Sequence, residues 1–299
     1  LFALSVPKTR GLIAGRSALM RLDGWTWEEM TAKASVGMHL SLPSVAALER
    51  ARNAKQKKGV EDAVEEARKE RKKKLRMLAE VLEKSRAYDK AKSAKDPSLK
   101  TDLRLEALVA VVRGQLPFFV HAQRLPEIID AVEFCARQEV RMVLVGGADA
   151  WRAASLLKKH DIPVIVSPVN ALPGRRWEDY DTAMRNPSVL QSAGVRFCIA
   201  GPGGTMDAPH ERNLPYQAAR AASFGLARKE ALKAVTLYPA QILGVADRLG
   251  SLEVGKDATF IITSGDPLEI TTSVNAAYIS GRPVDLANKQ TRLYGKYRE

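Results

Sequence analysis

Pro117-Phe118-Phe119-Val120-His121-Ala122-Gln123-Arg124 decides how the rest of the chain is read. A short apolar run ends in a histidine, and a helical pattern starts directly after it. A parallel strand buried on both faces has this texture, with its polar residue at the C-terminal tip. In a (β/α) barrel the strand C-termini carry the chemistry. His121 is therefore the first candidate for function.

The same rhythm continues downstream. Residues 141–145 read as a strand that turns through Gly146-Gly147 into a helix over 150–159, with Asp149 placed to cap it. A strand over 163–167 is followed by a long loop with Pro168, Pro173 and Trp177. A helix over 187–193 leads to a strand over 195–200. A glycine- and proline-rich loop, 201–209, then precedes helices near 214–224, 228–236 and 239–243. Upstream, residues 36–42 read as one more buried strand, stopped by Pro43. Counting it, five short strands alternate with helices, the pattern of βα units around a parallel sheet. Five strands do not close an eight-stranded barrel, so either further strands lie upstream or the sheet is open. The first 35 residues are less regular. Residues 10–22 suit a strand with a glycine break, and Asp23 or Thr26 is placed to cap a short helix beside Trp25 and Trp27.

Ser44 begins a long helical region. Val60, Val64, Ala67, Leu75, Leu78 and Leu82 recur at spacings of three, four and seven, a thin apolar stripe on an amphipathic helix. Asp96-Pro97-Ser98 ends it, and a second helix is expected over Leu103–Val112. The chain carries a formal net charge of +13. Residues 49–104 hold 19 basic and 11 acidic side chains, so +8 of that charge is regional. Acids are interspersed, and Tyr88 is the only aromatic residue there. A solvated helical arm accounts for this better than a nucleic-acid interface.

At 299 residues and 45% hydrophobic, the chain is long and apolar enough for a large core. No apolar run reaches the roughly 18–20 residues that span a bilayer. The two cysteines, Cys135 and Cys198, lie in apparent helix and strand interiors and read as buried free thiols. The chain starts at Leu1 with no signal-peptide pattern, so a fragment or a processed product is expected, and no compartment is indicated. After Val245 the texture changes. Gly250, Gly255, Gly265 and Gly281 punctuate short β-rich runs at 259–263, 274–279 and 282–284, and a basic tail follows at 291–299. The expected organisation is one unit over 1–247, with the basic arm at about 44–98, and a second, small one over 248–299.

The C-terminal runs carry a family likeness. Gly250-Ser251-Leu252-Glu253-Val254-Gly255-Lys256-Asp257-Ala258, an apolar strand, Gly265-Asp266-Pro267-Leu268 and Ile279-Ser280-Gly281-Arg282 together resemble the C-terminal signature of the amidohydrolase superfamily. The nearest branch is that of the imidazolonepropionase-like metal-dependent amidohydrolases. Residues 230–244, EALKAVTLYPAQILG, resemble the last barrel helices of that family, and Pro117–Arg124 its fifth barrel strand. The likeness runs from about residue 36 to 284. It implies an α/β protein: a (β/α)8 TIM-type barrel whose N-terminal strands are missing from this chain, a helical insertion, and a small C-terminal β-sandwich module that draws on both chain ends. It also implies a divalent metal, zinc first, at the strand C-termini. Water on such a metal becomes hydroxide near neutral pH and attacks an amide or cyclic C–N carbon.

In that family the ligands usually come from a His-x-His on strand 1, a lysine on strand 4 in some branches, histidines on strands 5 and 6, and an aspartate on strand 8 that also shuttles the proton. By this resemblance His121 matches the strand-5 histidine, and His39 sits where some relatives carry the strand-4 lysine. The strand-6 histidine belongs near Gly146-Gly147 and the strand-8 aspartate near Gly201-Pro202, and neither residue type is there. No His-x-His occurs, so the segment that carries it is expected upstream or on another polypeptide. Asp207 and His210, three apart in the loop after the last strand, offer a replacement carboxylate and imidazole. Arg124, Arg212 and Asn213 are the candidates for holding an acidic substrate at the mouth.

Two functions follow. One is hydrolysis of a non-peptide carbon–nitrogen bond in a small molecule, with His121 and His39 as metal ligands and Asp207 or His210 moving protons. The other is a barrel of the same kind without catalysis, used for binding or assembly, including assembly with itself.

Overall fold

The computed structural model describes residues 2–7, 11–43, 60–204 and 207–298. Its centre is a seven-stranded sheet with the strands side by side in chain order: β1 (Phe2–Ser5), β2 (Ile13–Arg21), β3 (Thr31–Ser41), β4 (Phe118–Ala122), β5 (Met142–Gly146), β6 (Val164–Val166) and β7 (Phe197–Ile199). β1, β2 and β3 pair antiparallel. From β3 to β7 every pairing is parallel. The five parallel strands are the five read from the sequence. β3 starts earlier than expected, because Thr31 and Lys33 pair with Met20 and Leu19 of β2. A four-residue helix, α1 (Trp27–Met30), joins β2 to β3, and Thr26 caps it by accepting a hydrogen bond from the Glu29 N–H at 3.3 Å.

Parallel strands buried on both faces need two cores, and both are present. Alternate residues point opposite ways along a strand. Phe118, Val120, Leu144, Val164 and Phe197 pack into one core, while Phe119, Val143, Ile165 and Cys198 pack into the other. The first core is covered by helices, chiefly α2 (Val60–Ser93), α3 (Leu103–Val112), α4 (Leu125–Arg137) and α5 (Ala154–Lys159), then α6 (Thr182–Ser192), α7 (Leu214–Ser223) and α8 (Arg228–Ala234). The second core is closed by the chain itself. Ala240 of α9 (Leu237–Ile242), with Val245 and Leu249 beyond it, lies against Phe119, Ile165 and Cys198. Lys33 of β3 donates to the carbonyls of Leu243 and Gly244 at 3.0 Å each, fixing that segment to the sheet. Full burial of side chains such as Phe118 and Phe119 stabilises by about 1.5–3 kcal/mol each.

The helix expected to begin at Ser44 lies in part outside the described residues. From Val60 it runs to Ser93, and its C-terminal half is not a solvated face. Leu78, Leu82, Ser85 and Tyr88 are buried against α3, and the Ser85 hydroxyl donates to the Leu105 carbonyl at 2.9 Å. Arg71, near its middle, pairs with Asp130 of α4. Among the described residues no helix is long and apolar enough to cross a membrane.

The C-terminal module is an antiparallel sheet of three strands in the order β10 (Arg282–Pro283), β9 (Val274–Ile279), β8 (Phe260–Thr263). It is docked on the larger sheet's core by Leu268, which is buried, and by ion pairs of Arg228 with Asp266 and Glu269 and of Arg282 with Asp23. The basic tail forms a short helix, α10 (Lys289–Arg298), with no buried residue.

Candidate active site

Two histidines read from the sequence meet. His39 on β3 pairs in register with Phe119, and Ser41 with His121, so the two histidines stand on neighbouring parallel strands offset by two residues. Residues two apart share a face, so both rings lie on one side of the sheet. Their facing nitrogens, His39 Nδ1 and His121 Nε2, are 2.8 Å apart. One ring donates and the other accepts, so the contact holds only while at least one ring is neutral. His39 is 1% exposed. Burial, and then the nearby charge of His121, push its pKa down to about 4, and burial lowers that of His121. Both rings are therefore neutral near pH 7. The Phe119 ring stands edge-on to His39 with centroids 5.3 Å apart. Gly37 makes room for it, since a Cβ there would come within 2.4 Å of the Phe119 ring. The second ring nitrogen of His39, Nε2, is buried and has no hydrogen-bond partner among the described residues.

A cavity of about 90 Å³ opens beside His121, lined by Leu42, Pro43, Arg71, Ala122, Glu127 and Asp130. Arg71 reaches it from the helical arm and donates to the Pro43 carbonyl at 3.3 Å. Burial raises the Asp130 pKa despite the Arg71 guanidinium beside it. Arg124 is half-buried at the start of α4. Its N–H and that of Gln123 donate to the Glu127 carboxylate at 3.2 and 3.1 Å, which fixes the turn from β4 into α4.

The strand tips that lack a ligand are filled by other side chains. Gly146 ends β5 with φ +100, in the region glycine alone adopts without strain. A Cβ at Gly146 would lie 2.3–2.8 Å from the carboxamide of Gln123, whose Oε1 accepts from the Ala148 N–H at 3.2 Å. Gly201, just beyond β7, accepts a hydrogen bond from the Ser167 hydroxyl at 2.7 Å through its carbonyl. A Cβ at Gly201 would lie 2.0 and 2.3 Å from the two carboxylate oxygens of Glu211. Sequence reading missed both Gln123 and Glu211. Their signal was the paired absence: a glycine at a strand tip leaves a space that something else fills.

Asp207 and His210 fall at the start of a 3-10 turn, Ala208–Asn213. The Asp207 carboxylate accepts from the Gly204 N–H at 3.1 Å and so organises the loop. His210, Glu211 and Arg212 are exposed there and Asn213 is half-buried. Among the described residues no hydrogen bond or ion pair links Asp207, His210, Arg212 or Asn213 to the histidine pair.

Asp149 was expected to cap the helix that follows it. Instead its carboxylate accepts from the Leu125 N–H at 3.0 Å, serving the start of α4, and it is 1% exposed. Arg175 grips both of its oxygens and also binds Glu178, while stacking over Trp177 at 4.5 Å. This ties the long loop after β6 down onto the C-terminal end of β5.

A model of the amidohydrolase family matches residues 28–286. The chain belongs to the amidohydrolase family. Among the curated relatives of this chain, amidohydrolase tasK of Hapsidospora irregularis is 25% identical over 207 residues, which cover 66% of this chain and 20% of tasK. N-acetylglucosamine-6-phosphate deacetylase of Danio rerio is 42% identical over 60 residues, which cover 20% of this chain and 14% of the deacetylase. The chain thus matches a fifth or less of the length of these relatives. Among solved structures, an amidohydrolase from Thermotoga maritima MSB8 superimposes with a TM-score of 0.76 at 24% identity, covering 95% of this chain and 71% of that one. That likeness shows a shared fold.

Members of this family are generally metal-dependent hydrolases. The donor chemistry here suits a divalent metal, since two neutral imidazoles stand together and one ring nitrogen is buried without a partner. Two donors are one short of the three protein ligands that catalytic zinc takes. Among the described residues no three His, Cys, Asp or Glu side chains stand together as a metal group. The two cysteines do not enter the count as ligands, because burial pushes both thiols up to about 12.

Proposed function

We propose that this amidohydrolase hydrolyses a non-peptide carbon–nitrogen bond of a small molecule at the C-terminal ends of β3–β7. The observation that carries the proposal is the His39–His121 pair: two neutral imidazoles in contact, at the end of the parallel strands where barrels of this kind place their chemistry. His39 and His121 would hold a divalent metal, zinc first, which when bound supplies Lewis acidity and a water of lowered pKa. The chain's own part is to keep both rings neutral by burial, to back His39 with Phe119, and to shut the second core beneath them with residues 240–249. Arg212, Asn213 and Arg124 are proposed to meet an acidic substituent of the substrate, and Asp207 and His210 are the loop groups proposed to exchange protons. The deacetylase among the relatives suggests N-acetylated amino sugar phosphates as the first substrates to try.

The test is acetate release from N-acetylglucosamine 6-phosphate and amine release from p-nitroacetanilide by the full chain supplied with zinc, manganese or iron. Turnover that a chelator abolishes supports the proposal. No turnover of either substrate with any of the three metals overturns it. One observation favours a second reading, a binding barrel without catalysis: the carboxamide of Gln123 fills the space at Gly146, so no imidazole stands there. A substrate-induced rise in melting temperature without turnover is the outcome that reading predicts.

A further inference from the structure

We infer that Arg71 of the helical arm is a gate: its guanidinium closes the cavity at His121, and release of its ion pair with Asp130 opens the way to the histidine pair. The inference deepens the hydrolase reading above and rests on it for its purpose, since a gate matters only where His39 and His121 meet a ligand.

The cavity is too small as it stands. Its volume is about 90 Å³, whereas pockets for small-molecule ligands hold roughly 300–1,000 Å³. An amide substrate therefore reaches His121 only if a wall moves. Most of the walls belong to the packed frame: Leu42 and Pro43 directly follow β3, Ala122 ends β4, and Glu127 and Asp130 stand in the first two turns of α4. Among the described residues that line the cavity, Arg71 alone comes from outside that frame, on α2.

Arg71 lies across the cavity rather than along one side of it. Its Nε donates to the Pro43 carbonyl at 3.3 Å, and its Nη2 donates to the Asp130 carboxylate. One side chain thus bridges the end of the strand that carries His39 and the helix that follows His121. The part of α2 that supplies it has little else to hold it. Among the described side chains of residues 65–73, Arg71 alone is not fully exposed. The ion pairs beside it, Lys69 with Glu65 and Lys74 with Glu70, stay within the helix. Along α2, full burial among the described residues begins only at Leu78. The Arg71 and Asp130 side chains remain 19% and 31% exposed. An ion pair in that much contact with water is weak. A helix end with so few buried contacts opens locally at a far smaller cost than unfolding the chain. Arg71 and this end of α2 therefore leave the cavity together, while the sheet and the histidine pair stay in place.

The test reads access to His121 with neither metal nor substrate present. Diethyl pyrocarbonate acylates neutral imidazoles, and peptide mass spectrometry of the metal-free full chain at pH 7 follows each histidine separately. His160 is exposed and serves as the internal standard. Arg71→Ala and Asp130→Ala break the same contact from its two sides. Each is expected to raise the labelling rate of His121, relative to His160, about tenfold. The exchanged pair, Arg71→Asp with Asp130→Arg, is expected to return it to within threefold of the parent, a reversal that a merely structural role would not produce. The buried thiols of Cys135 and Cys198 report on the core. They are expected to stay unreactive toward Ellman's reagent in every variant, so that faster labelling reports the gate and not unfolding. A His121 rate within threefold of the parent in both single variants overturns the gate, as does an exchanged pair that labels as fast as they do. Neither result touches the hydrolase reading, which stands or falls on turnover.

Discussion

His39 Nδ1 and His121 Nε2 lie 2.8 Å apart, although the two residues are 82 positions apart in the chain. The parallel pairing of β3 with β4 makes the contact, and the offset of two residues between the histidines keeps both rings on one face. Everything proposed about function turns on this contact, and it has consequences that do not depend on knowing the substrate.

The first concerns pH. The folded-state pKa of His39 is about 4, below the usual 6.5. As pH falls through 6.5 the unfolded chain takes up a proton that the folded chain refuses, so the folded state loses stability. The loss accumulates between pH 6.5 and 4 and then levels off. For the metal-free chain, urea unfolding at pH 7 and pH 5 should differ by about 2 kcal/mol from this residue alone. In His39→Gln that part of the difference should vanish. An unchanged pH dependence in the variant would show that His39 titrates normally.

The second concerns Gly37. Adding a methyl group there drives it into the Phe119 ring, which lies 2.4 Å from the position of the new Cβ. Phe119 is fully buried, so its ring must shift within the core. Gly37→Ala should therefore destabilise the chain by about 1–3 kcal/mol in denaturant unfolding. It should also shift the imidazole resonances of His39, because the ring that backs His39 moves.

Asp149 gives the third. Its carboxylate is buried, gripped by Arg175 and bonded to the Leu125 N–H. Asp149→Ala leaves the guanidinium without its partner and the start of α4 without its acceptor. A loss of about 3–5 kcal/mol is expected. Replacing Arg175 and Asp149 together by apolar residues should cost less than Asp149→Ala. A double variant as unstable as the sum of the single ones would rule out a coupled pair.

These sites differ in how far the sequence announced them. The apolar runs ending at His121 and around His39 have the strand texture, and their histidines sit at the positions a strand tip or core face requires. The five parallel strands were legible for the same reason: strands buried on both faces are apolar at every position. Asp149 was misjudged, because a residue ahead of a helix looks like its cap, and only the folded chain shows Leu125 and Arg175 converging on it. Gln123 and Glu211 were missed, because the glycines at the strand tips mark a space without saying which side chain fills it. Each is defined by a missing Cβ on a glycine 23 or 10 residues later or earlier in the chain, at Gly146 and Gly201. That is a relation of space rather than of spacing. The arm was half legible: its basic face is evident from composition, while burial of Leu78, Leu82 and Tyr88 depends on α3 lying against it.

The His39–His121 pair is proposed as the core of a hydrolytic site. The most direct measurement is kcat/KM for amine release from p-nitroacetanilide by the zinc-supplied full chain and by its His121→Asn variant, with circular dichroism confirming that both are folded. Turnover in the parent and a loss of about 100-fold or more in His121→Asn are expected. Activity in the folded variant within threefold of the parent would contradict it.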